Sequence, residues 1–296
     1  MRAFGWFLLA IAGSLLVAAL LAYPLDLLLH GLEPAWRFDK VATRLFQLLM
    51  LGAVALLVRR LHLTSKRDWG YGAPRPRWLR QFATGLVAGL VTMLPVTLSM
   101  MALGLRVIDP GLTGGAVVRA LLAGLGSGLA VGFLEETFFR GLMQGAVLRE
   151  MRRPLAGIGL VAVVYAALHF LASVHIAHEQ VTWHSGLDLL AGVLANLAAP
   201  AGIIDSFLAL LAVGWLLGLL TWWTGSIALA TGLHAGWVWL MRTTVAVTTP
   251  DPGGGLHWLI SRSDGYTGWL VLGWTLVITL ALVLSRGRFR SWRHHA

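Results

Sequence analysis

Glu135 and Glu136, followed one helical turn later by Arg140, place three ionisable side chains inside the long apolar stretch 115–148. An ionised side chain near the centre of a bilayer costs roughly 2.5–3.5 kcal/mol, so such residues default to a functional role with partners to be named. On a helix Glu136 and Arg140 share a face and are placed to form an ion pair. Glu135 points about 100° away. Two adjacent carboxyls therefore meet different surroundings, which suits one structural charge, Glu136, and one general base facing a cavity, Glu135. His169 and His234, both in later apolar segments, are the candidate partners.

These side chains need membrane spans to hold them. Of the 296 residues, 57% are hydrophobic and 12% charged, a composition that points to a polytopic membrane protein and away from a soluble core. Apolar runs near or above the roughly 20-residue spanning length fall at 4–29, 41–63, 79–105, 115–148, 155–174, 203–224, 226–243 and 267–285. The expected fold class is all-α, a polytopic integral membrane protein of about eight transmembrane helices. A shorter apolar stretch from Asp188 to Pro200 reads as a re-entrant or interfacial helix. The first run is longer than a signal-peptide core and reads as an uncleaved anchor. Gly124, Gly126 and Gly128 precede the paired glutamates and suit close helix packing. With no soluble domain visible, the chain reads as one membrane domain in three parts, 1–114, 115–243 and 244–296.

Lys and Arg favour the cytoplasmic side of short loops. With the N-terminus inside, that side collects Arg2, then Arg59, Arg60, Lys66, Arg67, Arg75, Arg77 and Arg80, then Arg149, Arg152 and Arg153, and finally Arg286, Arg288, Arg290 and Arg293. The other side has fewer, among them Arg37, Arg106 and Arg262, and the segment 174–202 has neither Lys nor Arg. Both termini are thus expected in the cytoplasm. The net charge of +10 is explained by this bias and by anionic headgroups, so the lipid bilayer is an expected partner and nucleic acid is not. Helix rise puts Glu135, His169 and His234 roughly 21, 22 and 12 Å from their cytoplasmic ends, compatible with one shared site in that half. The absence of Cys removes disulfides, thiolate catalysis and Cys-ligated zinc.

The ordered set Glu135-Glu136-x-x-x-Arg140, Tyr165-x-x-x-His169 and His234-Ala235-Gly236-Trp237 resembles the motifs of the CPBP intramembrane proteases, the group that contains CAAX prenyl endopeptidases and bacteriocin-processing or immunity-associated proteins. The resemblance spans roughly residues 115–243. It implies a membrane cavity opening toward the cytoplasm, in the cytoplasmic membrane of a bacterium. There Glu135 would activate water for hydrolysis of a peptide or protein substrate held in the membrane. His169 and His234 would assist, one positioning the water and the other stabilising the oxyanion, with Glu136, Arg140 and Tyr165 supporting the site. Two residues depart from the family pattern: Tyr165 stands where Phe is usual, and Val238 stands where Asn or Asp commonly follows the histidine. Thr231 and Asn196 are the polar residues nearby in sequence.

No cofactor is expected, and zinc held by Glu135, His169 and His234 is the alternative that N and O ligands leave open. His175, His178, Glu179 and His184 form a His-rich loop that lacks the second His a zincin helix needs at i+4, so it reads as a solvated loop. The fourteen Trp suit interfacial belts and cavity walls. Two rivals to an endopeptidase are a catalytically silent peptide-binding or immunity-type membrane protein, favoured by Val238, and a proton-coupled transporter using the buried carboxylates and histidines as a relay. The basic asymmetry makes a direct prediction. A reporter fused after Arg67 or Arg152 reads cytoplasmic and one inserted near Glu179 reads external; a cytoplasmic signal at Glu179 refutes the orientation.

Overall fold

A computed structural model describes residues 1–30, 36–172, 174–251, 255–262 and 264–285. The basic tail residues Arg286, Arg288, Arg290 and Arg293 lie outside the described residues. The helices are α1 (Arg2–His30), α2 (Phe38–Arg60), α3 (Arg75–Ala102), α4 (Gly114–Glu135), α5 (Gln144–Glu150), α6 (Pro154–Leu168), α7 (Ser185–Ala198), α8 (Ile204–Thr224), α9 (Ala228–Val247) and α10 (Trp269–Leu284). A π-helical segment, Glu136–Met143, joins α4 to α5 without a break in helicity. The only strands among the described residues are β1 (Arg106–Ile108) and β2 (Thr248–Pro250), a three-residue antiparallel pair. The protein is all-α.

Among the described residues six helical stretches are long and apolar enough to cross a membrane: α1, α2, α3, the continuous run Gly114–Glu150, α6 with its extension to Leu171, and α8. The two further spans expected from sequence correspond to α9, which has 20 residues, and α10, which has 16. α9 is less apolar because it carries His234, Thr231, Arg242 and two adjacent threonines. The short apolar helix expected near Asp188 is α7, with 14 residues. Leu9, Leu28, Leu48, Leu56, Leu122 and Leu134 are exposed along the spans, as side chains facing hydrocarbon must be.

Packing divides the chain into two compact units. The first comprises 1–64 and 166–204; the second comprises 65–165 and 205–296. In the first, α1 packs against α2 and α7, and Gly186 lies so close to the carbonyl of Ala19 that no Cβ would fit. Ala22, Phe38 and Leu189 form a small core there. Beside it the buried carboxylate of Asp39 accepts from Arg37 Nε at 3.1 Å and Nη2 at 3.0 Å and lies 2.9 Å from His175 Nδ1. His184 Nδ1 is 2.6 Å from Asp188 in the first turn of α7. The expected solvated His-rich loop thus has two of its histidines paired with aspartates.

In the second unit α3 and α4 both pack extensively on α9. Glycines make this approach possible: a Cβ on Gly85 or Gly89 would strike the backbone of α9, and one on Gly232 would strike that of α3 at Phe82. On α4, Gly124 and Gly128 meet Trp239 and Ala235 of α9, and Gly132 meets Thr231. Gly126 meets nothing within 4 Å, so of the three glycines read as packing residues it is the one that does not face a helix. At the turn into α9, Gly225 adopts φ +69°, the left-handed conformation that ends α8 after Thr224. Ser226 Oγ then accepts from the Ala228 N–H at 3.2 Å.

Near the strand pair, Arg106 is buried and donates through Nε to Thr248 Oγ1, through Nη2 to the Thr248 carbonyl and through Nη1 to the Gly265 carbonyl. Burial pushes the neighbouring Tyr266 hydroxyl up to about 12. The glycine contacts yield a paired prediction for thermal unfolding in detergent. Gly128→Ala destabilises by roughly 1–3 kcal/mol through overpacking, whereas Gly126→Ala is neutral or stabilising by up to about 1 kcal/mol through helix propensity. Equal effects at the two positions would refute this packing.

Candidate active site

The paired glutamates sit where α4 gives way to the π-helical turn. Thr113 caps the start of α4, its hydroxyl accepting from the Ala116 N–H at 3.2 Å, and the glycine face at 124, 128 and 132 seats the helix on α9. Glu135 ends α4 and Glu136 opens the π-helix. π turns inside α-helices frequently mark functional positions. Here the turn buries Glu136, Phe139, Arg140, Gly141, Leu142 and Met143 together.

The loop preceding α3 braces this turn. A Cβ on Gly141 would strike the carbonyl of Trp69, and the Tyr71 and Thr137 hydroxyls are hydrogen-bonded at 2.7 Å. Asp68 pairs with Arg149 beyond the turn. The Ser65 backbone N–H first, and then the Ser65 hydroxyl and the Arg149 guanidinium, hold the Asp68 carboxyl below the usual carboxylate range.

The ion pair expected from the one-turn spacing is present: Arg140 Nη1 donates to Glu136 Oε1 at 2.8 Å, with both side chains almost wholly buried. Arg140 Nη2 donates to the Gly214 carbonyl on α8 at 3.3 Å. One turn on, Gln144 Nε2 donates to the Gly218 carbonyl at 3.0 Å. A second contact comes from His234, one of the two candidate partners named from sequence. His234 Nδ1 lies 2.9 Å from the same Glu136 oxygen, and its Nε2 lies 4.0 Å from Glu135 Oε2. Glu136 is 0% exposed and Glu135 is 28% exposed. The two carboxyls thus differ in surroundings: one is enclosed by a cation and an imidazole, the other is partly open.

Tyr165, expected from the resemblance to support the site, is buried with its ring beneath the Arg140 guanidinium, 4.3 Å from ring centroid to Cζ. It meets Phe139 edge to face at 5.2 Å and His234 at 6.3 Å. Gly214 makes room for it, since a Cβ there would lie 3.0 Å from Tyr165 Cδ1. Val238 is buried and apolar, and the Thr231 hydroxyl donates to the Ile227 carbonyl at 2.9 Å. Glu135, Glu136, Arg140, Tyr165 and His234 are all brought together within the second unit. His169 opens a 3-10 turn, His169–Ala172, after α6, is exposed, and belongs to the first unit, as does Asn196.

A low-dielectric ion pair is favourable only when its remaining hydrogen-bonding capacity is met. Glu136 Oε2 and Arg140 Nε are buried with no hydrogen-bond partner among the described residues. The cluster is therefore a poor device for stability alone, and incomplete satisfaction of this kind marks functional sites. Among the described residues no group of three His, Cys, Asp or Glu is arranged to hold a metal ion.

Removing one partner of such a pair strands the other. Arg140→Ala is expected to cost on the order of 3–5 kcal/mol in thermal or denaturant unfolding, and Glu136→Gln to destabilise as well. Glu135→Gln, at the open position, leaves the unfolding midpoint near wild type. A wild-type midpoint for Arg140→Ala would remove the structural role of the pair.

Comparison with known proteins finds a family model that part of the chain matches. Residues 117–240 match the family model described as Type II CAAX prenyl endopeptidase Rce1-like. No curated protein and no solved structure matches the chain. The match agrees with the motif resemblance, and it supports, at family level, a protease integral to a membrane. Residues 117–240, which hold both glutamates, Arg140, Tyr165 and both histidines, are similar to the Rce1-like family, consistent with the CPBP intramembrane protease motifs.

Proposed function

We propose that the chain is an intramembrane endopeptidase that hydrolyses a peptide bond of a membrane-associated or C-terminally processed substrate through water activated by Glu135. The observation that carries this reading is the line of contacts Arg140–Glu136–His234–Glu135. Arg140 favours the Glu136 carboxylate, which accepts from His234 Nδ1. That hydrogen bond sets the tautomer and aims Nε2 toward Glu135. Glu135 is the more exposed of the two carboxyls, as a base that must meet water requires.

In the reaction the water oxygen bonds to the carbonyl carbon while Glu135 takes one water proton. Collapse of the tetrahedral intermediate breaks the C–N bond, and Glu135 returns the proton to the leaving nitrogen. One water is consumed, and a carboxyl and an amine are formed. His234 Nε2 accepts a hydrogen bond from the attacking water. His169 is assigned to the same step on the strength of the motif. No cofactor takes part, the site opens toward the cytoplasm, and both termini lie on that side. A catalytically silent peptide binder is the second reading, favoured by the apolar Val238 one turn beyond His234.

Comparative proteomics of membranes from cells with and without the protein identifies the substrate as a peptide that accumulates uncleaved. Purified chain in liposomes then cleaves a synthetic copy of it. Activity survives exhaustive removal of divalent metal and is lost in Glu135→Gln, while His169→Ala and His234→Ala each fall by at least ~100-fold. Stoichiometric zinc whose removal abolishes and whose return restores activity would instead make Glu135, His169 and His234 ligands. Full turnover by Glu135→Gln would end both versions, and peptide binding without cleavage would establish the silent binder.

A further inference from the structure

We propose that Gln144 is a positioning residue for the hydrolysis: its carboxamide, bonded to α8, fixes the π turn in the rotation that lets Glu136 orient His234. The inference rests on the endopeptidase reading above.

Two side chains four residues apart reach from this stretch to two carbonyls four residues apart on α8. Arg140 Nη2 donates to the Gly214 carbonyl at 3.3 Å, and Gln144 Nε2 donates to the Gly218 carbonyl at 3.0 Å. Glycine lets the second contact form, since a Cβ on Gly218 would lie 2.7 Å from Gln144 Oε1. The two contacts are not equivalent. The Arg140 guanidinium also holds Glu136 Oε1 at 2.8 Å, so this long side chain could follow a slide of α8 only by weakening the ion pair. Gln144 bonds α8 alone and can hold the register without drawing on the site.

The π geometry makes such a hold necessary. A π turn departs from the regular i to i+4 ladder, so the axis of α4 does not by itself dictate the rotation of the helix beyond the turn. The segment Glu136–Met143 lies between α4, seated on α9 by Gly124, Gly128 and Gly132, and Gln144, the first residue of α5. With Gln144 bonded, the turn is fixed at both ends. Bonded there, Gln144 holds the turn, and the turn holds the Glu136 oxygen 2.9 Å from His234 Nδ1, which leaves Nε2 beside Glu135.

Packing does not account for an amide at this position. Gln144 is 2% exposed, and burying a carboxamide is unfavourable without hydrogen bonds. The Gly218 carbonyl lies inside α8, where the helix supplies its own donor, so the backbone has no need of a second one. Methionine, of similar length and adaptable shape, would fill the space without losing hydration. An apolar contact tolerates sliding, whereas a hydrogen bond exists in one register only. Single buried polar residues set the register of coiled-coil helices in this way, at a cost in stability.

The test compares wild type, Gln144→Met, Gln144→Glu and Glu135→Gln as full-length protein in liposomes. The substrate is an internally quenched synthetic copy of the membrane peptide that accumulates in cells lacking the protein. Gln144→Met is expected to lower kcat about 10- to 100-fold, as loss of a group that orients a reacting one does. KM stays within about twofold, and the unfolding midpoint equals or exceeds that of wild type. Gln144→Glu keeps the shape, and its carboxyl donates to the Gly218 carbonyl when protonated and cannot when ionised. Its deficit in kcat is therefore expected to shrink as pH falls, to within about threefold of wild type at about pH 5.5. If Gln144→Met lowers the midpoint, the pH dependence of Gln144→Glu decides alone. Turnover by a normally stable Gln144→Met within about threefold of wild type, or a Gln144→Glu deficit that stays above about tenfold at every pH, overturns the proposal. The endopeptidase reading survives that result if Glu135→Gln is dead. Wild type that cleaves no faster than Glu135→Gln overturns both.

Discussion

One oxygen atom, Glu136 Oε1, accepts from the Arg140 guanidinium at 2.8 Å and faces the His234 imidazole at 2.9 Å, all of them removed from water. In a low-dielectric interior these contacts are strong, and for the same reason any of the three groups left alone is costly. The positions of the four elements that supply the cluster and its lid of rings follow from this. α4 with its π turn brings Glu136 and Arg140, α9 brings His234, α8 brings the Gly214 carbonyl, and α6 brings Tyr165 beneath the guanidinium. Shifting any one by an ångström would break a bond that hydrocarbon offers no means of replacing.

Lipid tails are as apolar as the side chains they touch, so close packing rather than hydrophobic burial must hold such helices together. The glycines of α3, α4 and α9 answer that need by letting backbones meet directly. α9 benefits most. Every residue from Ala228 to Val238 is buried, so a helix carrying a histidine and several threonines is shielded from hydrocarbon by neighbouring helices. The polarity that makes α9 the least convincing span by composition is thus the property that suits it to carry the site.

The π turn links packing to chemistry. It keeps Arg140 within reach of Glu136 while presenting a buried face of six residues, and the preceding loop, through Trp69 and Tyr71, is fitted against it. Glu135 sits at the junction between α and π geometry. It is there that one carboxyl is enclosed and its neighbour stays partly open, the division of surroundings on which the proposed base depends.

The sequence by itself determined the membrane class, the helical fold, the positions of the spans and the pairing of Glu136 with Arg140. Each of these follows from local quantities: run length against bilayer thickness, and side-chain spacing against helical pitch. The ordered motifs also located the Rce1-like stretch. Tertiary structure decided the rest. That His234 Nδ1 shares an oxygen with Arg140, that Tyr165 lies under the guanidinium, and that Gly128 faces a helix while Gly126 faces none depend on how α4, α6, α8 and α9 are rotated about their own axes. Within the first unit, the pairing of half-exposed His175 with Asp39 is likewise a contact between residues distant in sequence. In a span that is apolar on all sides, hydrophobic periodicity does not mark which face meets protein and which meets lipid. Rotation is set instead by contacts between residues 70 to 100 positions apart, such as Gly214 with Arg140 and Glu136 with His234, and no local pattern in the chain encodes those.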